Sequence, residues 1–258
     1  MNPALPARRV VLLGASNLTR GISTVAETAC RAWGRPLQLV AALGHGRSLG
    51  QTSSFFGRQL PGILPSGLWP AIETGERLPT AALVTDIGND ILYEVPVVQL
   101  AAWIEECFDR LAAAAARTVV THLPVENLAG LSERRFRFFR RLFVPGCTLS
   151  LAEITRRVAA TDERVGQLAR ERGFALVRQR REWYGLDPIH ISTARWQGVW
   201  GEILSAWSDA PLRAPGPAPL RWLYLRTRRP AEWTRGAGSF RAAQPSGRLR
   251  DGTTVSLY

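Results

Sequence analysis

The stretch VVLLGASN, Val10 to Asn17, is a run of apolar residues ending in a glycine and two small polar residues. A continuous apolar run closed by a turn residue predicts a strand buried on both faces. The serine just beyond it has two uses. Ser16 either caps the following helix, a position that serine favours, or stands as a nucleophile at the carboxyl end of a sheet. A second serine competes for that role in GHGRSLG, Gly44 to Gly50, where Gly46-Arg47-Ser48-Leu49-Gly50 is a G-x-S-x-G sequence.

Outward from this stretch, strands and helices alternate. Arg9–Gly14, Leu37–Leu43, Ala81–Ile87, Thr118–Leu123 and Phe174–Arg178 read as strands. Helical spacing marks Leu18–Trp33, Pro96–Ala116, Ser132–Phe143, Leu149–Arg172 and Thr193–Trp207, with a short helix expected at Gly50–Leu60. Pro61–Pro79 reads as an irregular surface segment that shapes a substrate pocket with the loop after Asn89. The alternation predicts a three-layer α/β/α sandwich around a parallel, flavodoxin-like sheet of about five strands. Ligands in such folds bind at the carboxyl ends of the strands.

A catalytic unit is expected over residues 1–210 and a Pro/Arg-rich extension over 211–258. Pro211, Pro215, Pro217 and Pro219 form a linker-like start to that extension. Its arginines are interleaved with Trp222, Tyr224, Trp233 and Phe240, without helical period. Short strands packed on the main unit are expected there, with a basic aromatic binding patch as the alternative.

The chain has 258 residues, 46% of them hydrophobic, and a net charge of +12 carried by arginine without any lysine. Such a surface attracts anions, although a GC-rich genome produces the same arginine bias and nucleic acid is not expected as a partner. Without lysine there is no phosphate-binding G-x-x-x-x-G-K-[ST] loop. Cys30, Cys107 and Cys147 form neither a metal-ligand nor a disulfide pattern. MNPALPARR leads straight into the first strand, so a cytoplasmic location is expected, without secretory leader or membrane span.

Beyond Ser16, strand-end features stand at Asn89 and at Asp187-Pro-Ile-His190. Acyl chemistry needs a hydroxyl, a base to take its proton, a group that orients the base, and donors for the developing oxyanion. Ser16, His190, Asp187 and Asn89 fit those roles in that order. Each has a plain reading too: a helix cap at Ser16, a strand end at Asn89-Asp90, and a turn at Asp187-Pro188 before a Ser192/Thr193 cap.

Gly14-Ala15-Ser16, Ile87-Gly88-Asn89-Asp90 and Asp187-x-x-His190 together resemble the SGNH/GDSL hydrolases from about Arg9 to Trp207. The resemblance implies serine ester hydrolysis through a covalent acyl-enzyme, with no cofactor or metal. It implies an oxyanion hole of the Ser16 and Gly46 N–H groups (Gly44 as alternative) and the Asn89 amide. Ala15 departs from the family's aspartate before the serine, and Ile87 from the first glycine of its G-x-N-D. Asn17, His45, Asp90 and Tyr93 are expected to line the substrate, a small-molecule ester, and His122 to be structural or substrate-lining. Acyl transfer on the same scaffold, a binding module for an anionic partner, and an α/β-hydrolase with Ser48 as nucleophile are the alternatives. The last of these puts its elbow after too few strands and its acid too close to the histidine.

Overall fold

The computed structural model describes residues 5–216 and 218–258; Pro217 of the proline-rich stretch and residues 1–4 of MNPALPARR lie outside them. The first strand, β1 (Arg8–Leu13), is buried from Arg9 onward. Side chains alternate across a strand, so Val10 and Leu12 pack with Leu18, Ile22 and Val25 of α1 (Ser16–Trp33). Val11 and Leu13 join the opposite core.

After β2 (Leu37–Ala42) come a hairpin, β3 (Ser53–Phe55) and β4 (Arg58–Leu60), and a short helix α2 (Leu68–Glu73). Then follow β5 (Thr80–Val84), α3 (Asn89–Leu92), α4 (Val97–Ala114) and β6 (Arg117–Thr121). The next run is α5 (Val125–Ala129), α6 (Glu133–Phe143), α7 (Leu151–Glu171), β7 (Ala175–Val177) and α8 (Trp196–Leu204). The C-terminal part supplies α9 (Pro219–Arg226) and the strands β8 (Glu232–Arg235), β9 (Gly238–Arg241), β10 (Gly247–Arg248) and β11 (Thr254–Leu257).

The main sheet has the order β10-β11-β2-β1-β5-β6-β7, parallel except for β10. Helices α1 and α8 pack on one face, and α4 and α7 on the other, each with its own apolar core. The chain steps from β1 to β2 on one side and then crosses to β5 on the other. That reversal opens a crevice at the carboxyl ends of β1 and β5, where Ser16 and Asn89 stand.

Three segments differ from expectation. Gly50–Leu60 holds the β3–β4 hairpin instead of a helix: Phe56 (φ 48°) and Gly57 (φ 72°) supply the two left-handed residues of a tight turn. Pro61–Pro79 is no surface coil. It contains α2, and Ile63, Leu64, Leu68, Trp69 and Ile72 are buried in the core. The extension contains a helix, α9, opened by Pro219 at its first turn. Its last strand does more than pack on the main unit: β11 pairs in parallel with β2, from Thr254 opposite Gln38 to Leu257 opposite Ala41. With β10 this raises the sheet from the five expected strands to seven. Strands β8 and β9 extend the β3–β4 hairpin into a second, antiparallel sheet.

Cys30, Cys107 and Cys147 are free and buried. Among the described residues no helix is long and apolar enough to cross a membrane.

Candidate active site

Ser16 is the first residue of α1 and makes no capping bond; the position before it, Ala15, has no side chain able to cap. The cap comes from another strand. Asp86, in the loop after β5 and held at φ 61°, reaches across with its carboxylate. Its Oδ2 accepts from the N–H groups of Ala15 (3.1 Å), Asn17 (2.9 Å) and Leu18 (3.1 Å). The N–H of Ser16 is passed over, and neither it nor Ser16 Oγ is hydrogen-bonded among the described residues. A buried helix end without a partner is costly. Here the cost is removed while the one serine stays uncommitted.

His190 and Asp187 form a local pair. His190 Nδ1 lies 2.6 Å from Asp187 Oδ2, and Asp187 Oδ1 accepts from the N–H groups of Ile189 (2.9 Å) and His190 (3.2 Å). Burial opposes ionisation of Asp187, but these bonds outweigh it and hold the carboxyl below its ordinary range. With the carboxylate accepting from Nδ1–H, Nε2 is left as the free acceptor of the ring. The imidazole and the Phe143 ring of α6 meet edge to face, ring centroids 5.2 Å apart.

The loop that carries this pair is tied to α1 by the residue next to Ser16. Asn17 Nδ2 donates to Ile189 O (3.2 Å) and to Asp86 Oδ1 (2.9 Å), and Asn17 Oδ1 accepts from Ile191 N (2.8 Å). Asn127 donates to Pro188 O, and Arg135 Nε to Leu186 O at 2.8 Å. Asn17, expected to line the substrate, borders the cavity beside Ser16 and also clamps this loop.

Gly46, the expected oxyanion glycine, follows β2 at φ 63°, and its N–H is unpaired among the described residues. A side chain there would meet the Tyr93 hydroxyl at 2.5 Å. Asn89 opens α3 and donates one amide hydrogen to Arg47 O at 3.2 Å, leaving the other. Gly44 N–H also stands after β2 and is likewise unpaired among the described residues, while Gly44 O accepts from Arg47 N at 3.3 Å.

Ser48, the rival serine, is fully buried and donates to Asp90 Oδ1, while its Oγ accepts from Gly50 N (3.2 Å) and Gln51 N (3.0 Å). No helix follows it, so the strand–serine–helix elbow of an α/β-hydrolase is not formed. Asp90 and Tyr93 were expected at the substrate and serve this loop instead. Asp90 Oδ2 accepts from Leu49 N (2.9 Å), and burial pushes its carboxyl up to about 6. Tyr93 donates to Gly46 O. His45 stacks on Phe55, ring centroids 4.6 Å apart. His122 is structural: its Nδ1 lies 3.0 Å from Asp162, which also accepts from Leu123 N and so pins the end of β6 to α7.

An apolar cavity of about 100 Å³ opens beside Ser16, Asn17 and Asn89. Its walls come from Ile87, Leu123, Leu128, Phe136, Phe139 and Phe143, among others. Neither the Pro61–Pro79 segment nor Tyr93 contributes to it. Helix α6 was not anticipated as a wall, although Phe136, Phe139 and Phe143 fall on one helical face and that spacing was the available signal. Asp86 was missed as well. Among the described residues no group of three or more His, Cys, Asp or Glu side chains is placed to hold a metal.

No family model and no curated protein matches the chain. Solved structures do. The α/β-hydrolase enzyme LAE5 from the metagenome of Lake Arreo, Spain, aligns over 79% of this chain and 96% of its own, at 12% identity and a TM-score of 0.52. The acetylxylan esterase Axe2 from Geobacillus stearothermophilus aligns over 82% of this chain and 99% of its own, at 11% identity and a TM-score of 0.50. Identities this low speak for the architecture and not for the chemistry. The chain has the fold of the SGNH/GDSL hydrolases.

Proposed function

We propose that the protein hydrolyses carboxylic esters through an acyl-enzyme on Ser16. The observation that carries this reading is the arrangement around Asn17. One side chain joins the helix of an uncommitted serine to the loop of an Asp187-paired histidine.

In the first half-reaction Ser16 Oγ attacks the ester carbonyl and His190 Nε2 takes its proton. Asp187 holds the ring and stabilises the imidazolium. The N–H groups of Ser16 and Gly46 and the second amide hydrogen of Asn89 stabilise the oxyanion. The C–O bond to the alcohol breaks as His190 returns the proton to the leaving oxygen. Water, deprotonated by the same nitrogen, then releases the acid and restores Ser16. The apolar cavity beside Ser16 receives the acyl chain. The buried free cysteines are read as a cytoplasmic setting.

Pre-steady-state hydrolysis of a p-nitrophenyl ester tests the reading. A burst of p-nitrophenol equal to the enzyme concentration, absent in Ser16→Ala, is expected. Turnover that survives Ser16→Ala removes it.

A further inference from the structure

A second cavity, of about 230 Å³, shares no lining residue with the first. It lies toward the β2–β11 side of the sheet, whereas the cavity that Ser16 borders lies toward β5 and β6. Thr19, one turn along α1 from Ser16, and Gly44-His45, which lead into Gly46, form part of its wall. Leu225, Val255 and Leu257, from the C-terminal segment, form much of the rest.

The polar lining is cationic. Arg58, Arg226 and Arg228 border the cavity, and no carboxylate does. None of these arginines is in an ion pair among the described residues. Each is positioned by other means. Arg226 lies over the Trp222 ring at 4.7 Å and Arg58 over Trp233 at 5.7 Å. Arg228 Nε donates to Tyr224 O at 3.0 Å. Burial first, and then nearby cationic groups that include Arg226 and Arg20, push His45 down to about 4. Unpaired cations around a half-closed cavity focus potential on an anion, and the guanidinium fork matches phosphate oxygens.

We propose that this cavity takes a phosphate group carried on the alcohol side of the ester, which makes acyl esters of phosphorylated alcohols the substrate class. The proposal rests on the ester-hydrolase reading. An acyl chain lies in the apolar cavity, the scissile carbonyl at Ser16, and the phosphorylated alcohol toward Arg58 and Arg226. The alcohol leaves with the proton from His190 and keeps its phosphate, and water becomes the acid's hydroxyl. The C-terminal segment thereby acquires a role in specificity.

Two matched pairs test it: butanoylglycerol against butanoylglycerol 3-phosphate, and decanoylglycerol against decanoylglycerol 3-phosphate. The phosphorylated member is expected to have the higher kcat/KM by about tenfold or more, the ratio that one charge-assisted hydrogen bond supplies. In the double variant Arg58→Gln/Arg226→Gln that ratio collapses toward one. A preference in both pairs assigns the site to soluble phosphoesters as well as lipids, and a preference confined to the decanoyl pair assigns it to a lipid headgroup. Ratios within twofold in both pairs, or a preference that survives the double variant, overturn the proposal.

A binding readout separates its failure from that of the esterase reading. In Ser16→Ala, glycerol 3-phosphate is expected to raise the NMR-detected pKa of His45, and the double variant to abolish the effect. An inert enzyme with that rise keeps the anion site and removes the ester chemistry. An inert enzyme without it removes both.

Discussion

Asn17 and Ile189 lie 172 residues apart in the chain, and the Asn17 amide donates to the Ile189 carbonyl at 3.2 Å. Its carbonyl oxygen accepts from Ile191 at 2.8 Å, so His190 sits between two residues held by one side chain. The histidine–aspartate pair itself is local and would form without that clamp. What the clamp fixes is where the pair stands relative to Ser16.

Asn17→Ala should therefore lower kcat about 100-fold, the scale of an ångström-sized misplacement, with a smaller change in KM. Because Asp187 and His190 are three residues apart, the downfield Nδ1 proton of the pair should persist in the NMR spectrum. Full activity in Asn17→Ala would remove the clamp from the account. Loss of the Nδ1 proton would mean that the loop had unfolded.

Asp86 caps α1 from across the crevice. Asp86→Ala removes four accepted hydrogen bonds, three from backbone N–H groups and one from the Asn17 amide, and places alanine at a left-handed φ. Urea unfolding should show a loss of about 2 kcal/mol. Asp86→Asn, which tolerates that φ and keeps one acceptor oxygen, should lose about half as much. Equal losses would show that the charge, and not the backbone conformation, dominates.

Asp90 gives the protein a defined pH dependence. In the unfolded chain its carboxyl titrates near 3.8, and in the buried Ser48–Leu49 turn at about 6. Between those values the folded state holds more protons than the unfolded one, so this group makes stability fall as pH rises from 4 to 6. The cost levels off above pH 6 at about 3 kcal/mol. Asp90→Asn cannot ionise. Its stability difference from the parent protein, measured by denaturant unfolding, should shift in the variant's favour from pH 4 to 6 and then stay constant. A constant difference throughout would mean that Asp90 titrates normally.

Leu128, partly buried on the wall of the apolar cavity, gives access to acyl-chain length. Leu128→Trp should lower the ratio of kcat/KM for octanoyl over acetyl esters about tenfold, since lost methylene contacts act directly on that ratio. An unchanged ratio would place the acyl chain elsewhere.

The parts of this site that could be read in the sequence are those written at strand ends. An apolar run closed by glycine announces β1, and Ser16, Asn89 and the Asp187/His190 pair each follow a strand, where an open parallel sheet puts its ligands. Asp86 left no comparable sign. A cap supplied from a neighbouring strand is a long-range contact, and Ala15 shows only that the local aspartate is missing. The pairing of β11 with β2 is hidden for the same reason, because the two strands lie near opposite ends of the chain. The Gly50–Leu60 hairpin was legible in principle: Phe56-Gly57 is a turn pair, but the apolar residues around it also satisfy a helical period.

The central claim is that Ser16, and not Ser48, is the nucleophile. Labelling with a fluorophosphonate followed by peptide mapping tests it most directly. The account predicts a single adduct on Ser16, because Ser48 is fully buried and bonded to Asp90. An adduct on Ser48, or a folded protein that takes no label, would contradict it.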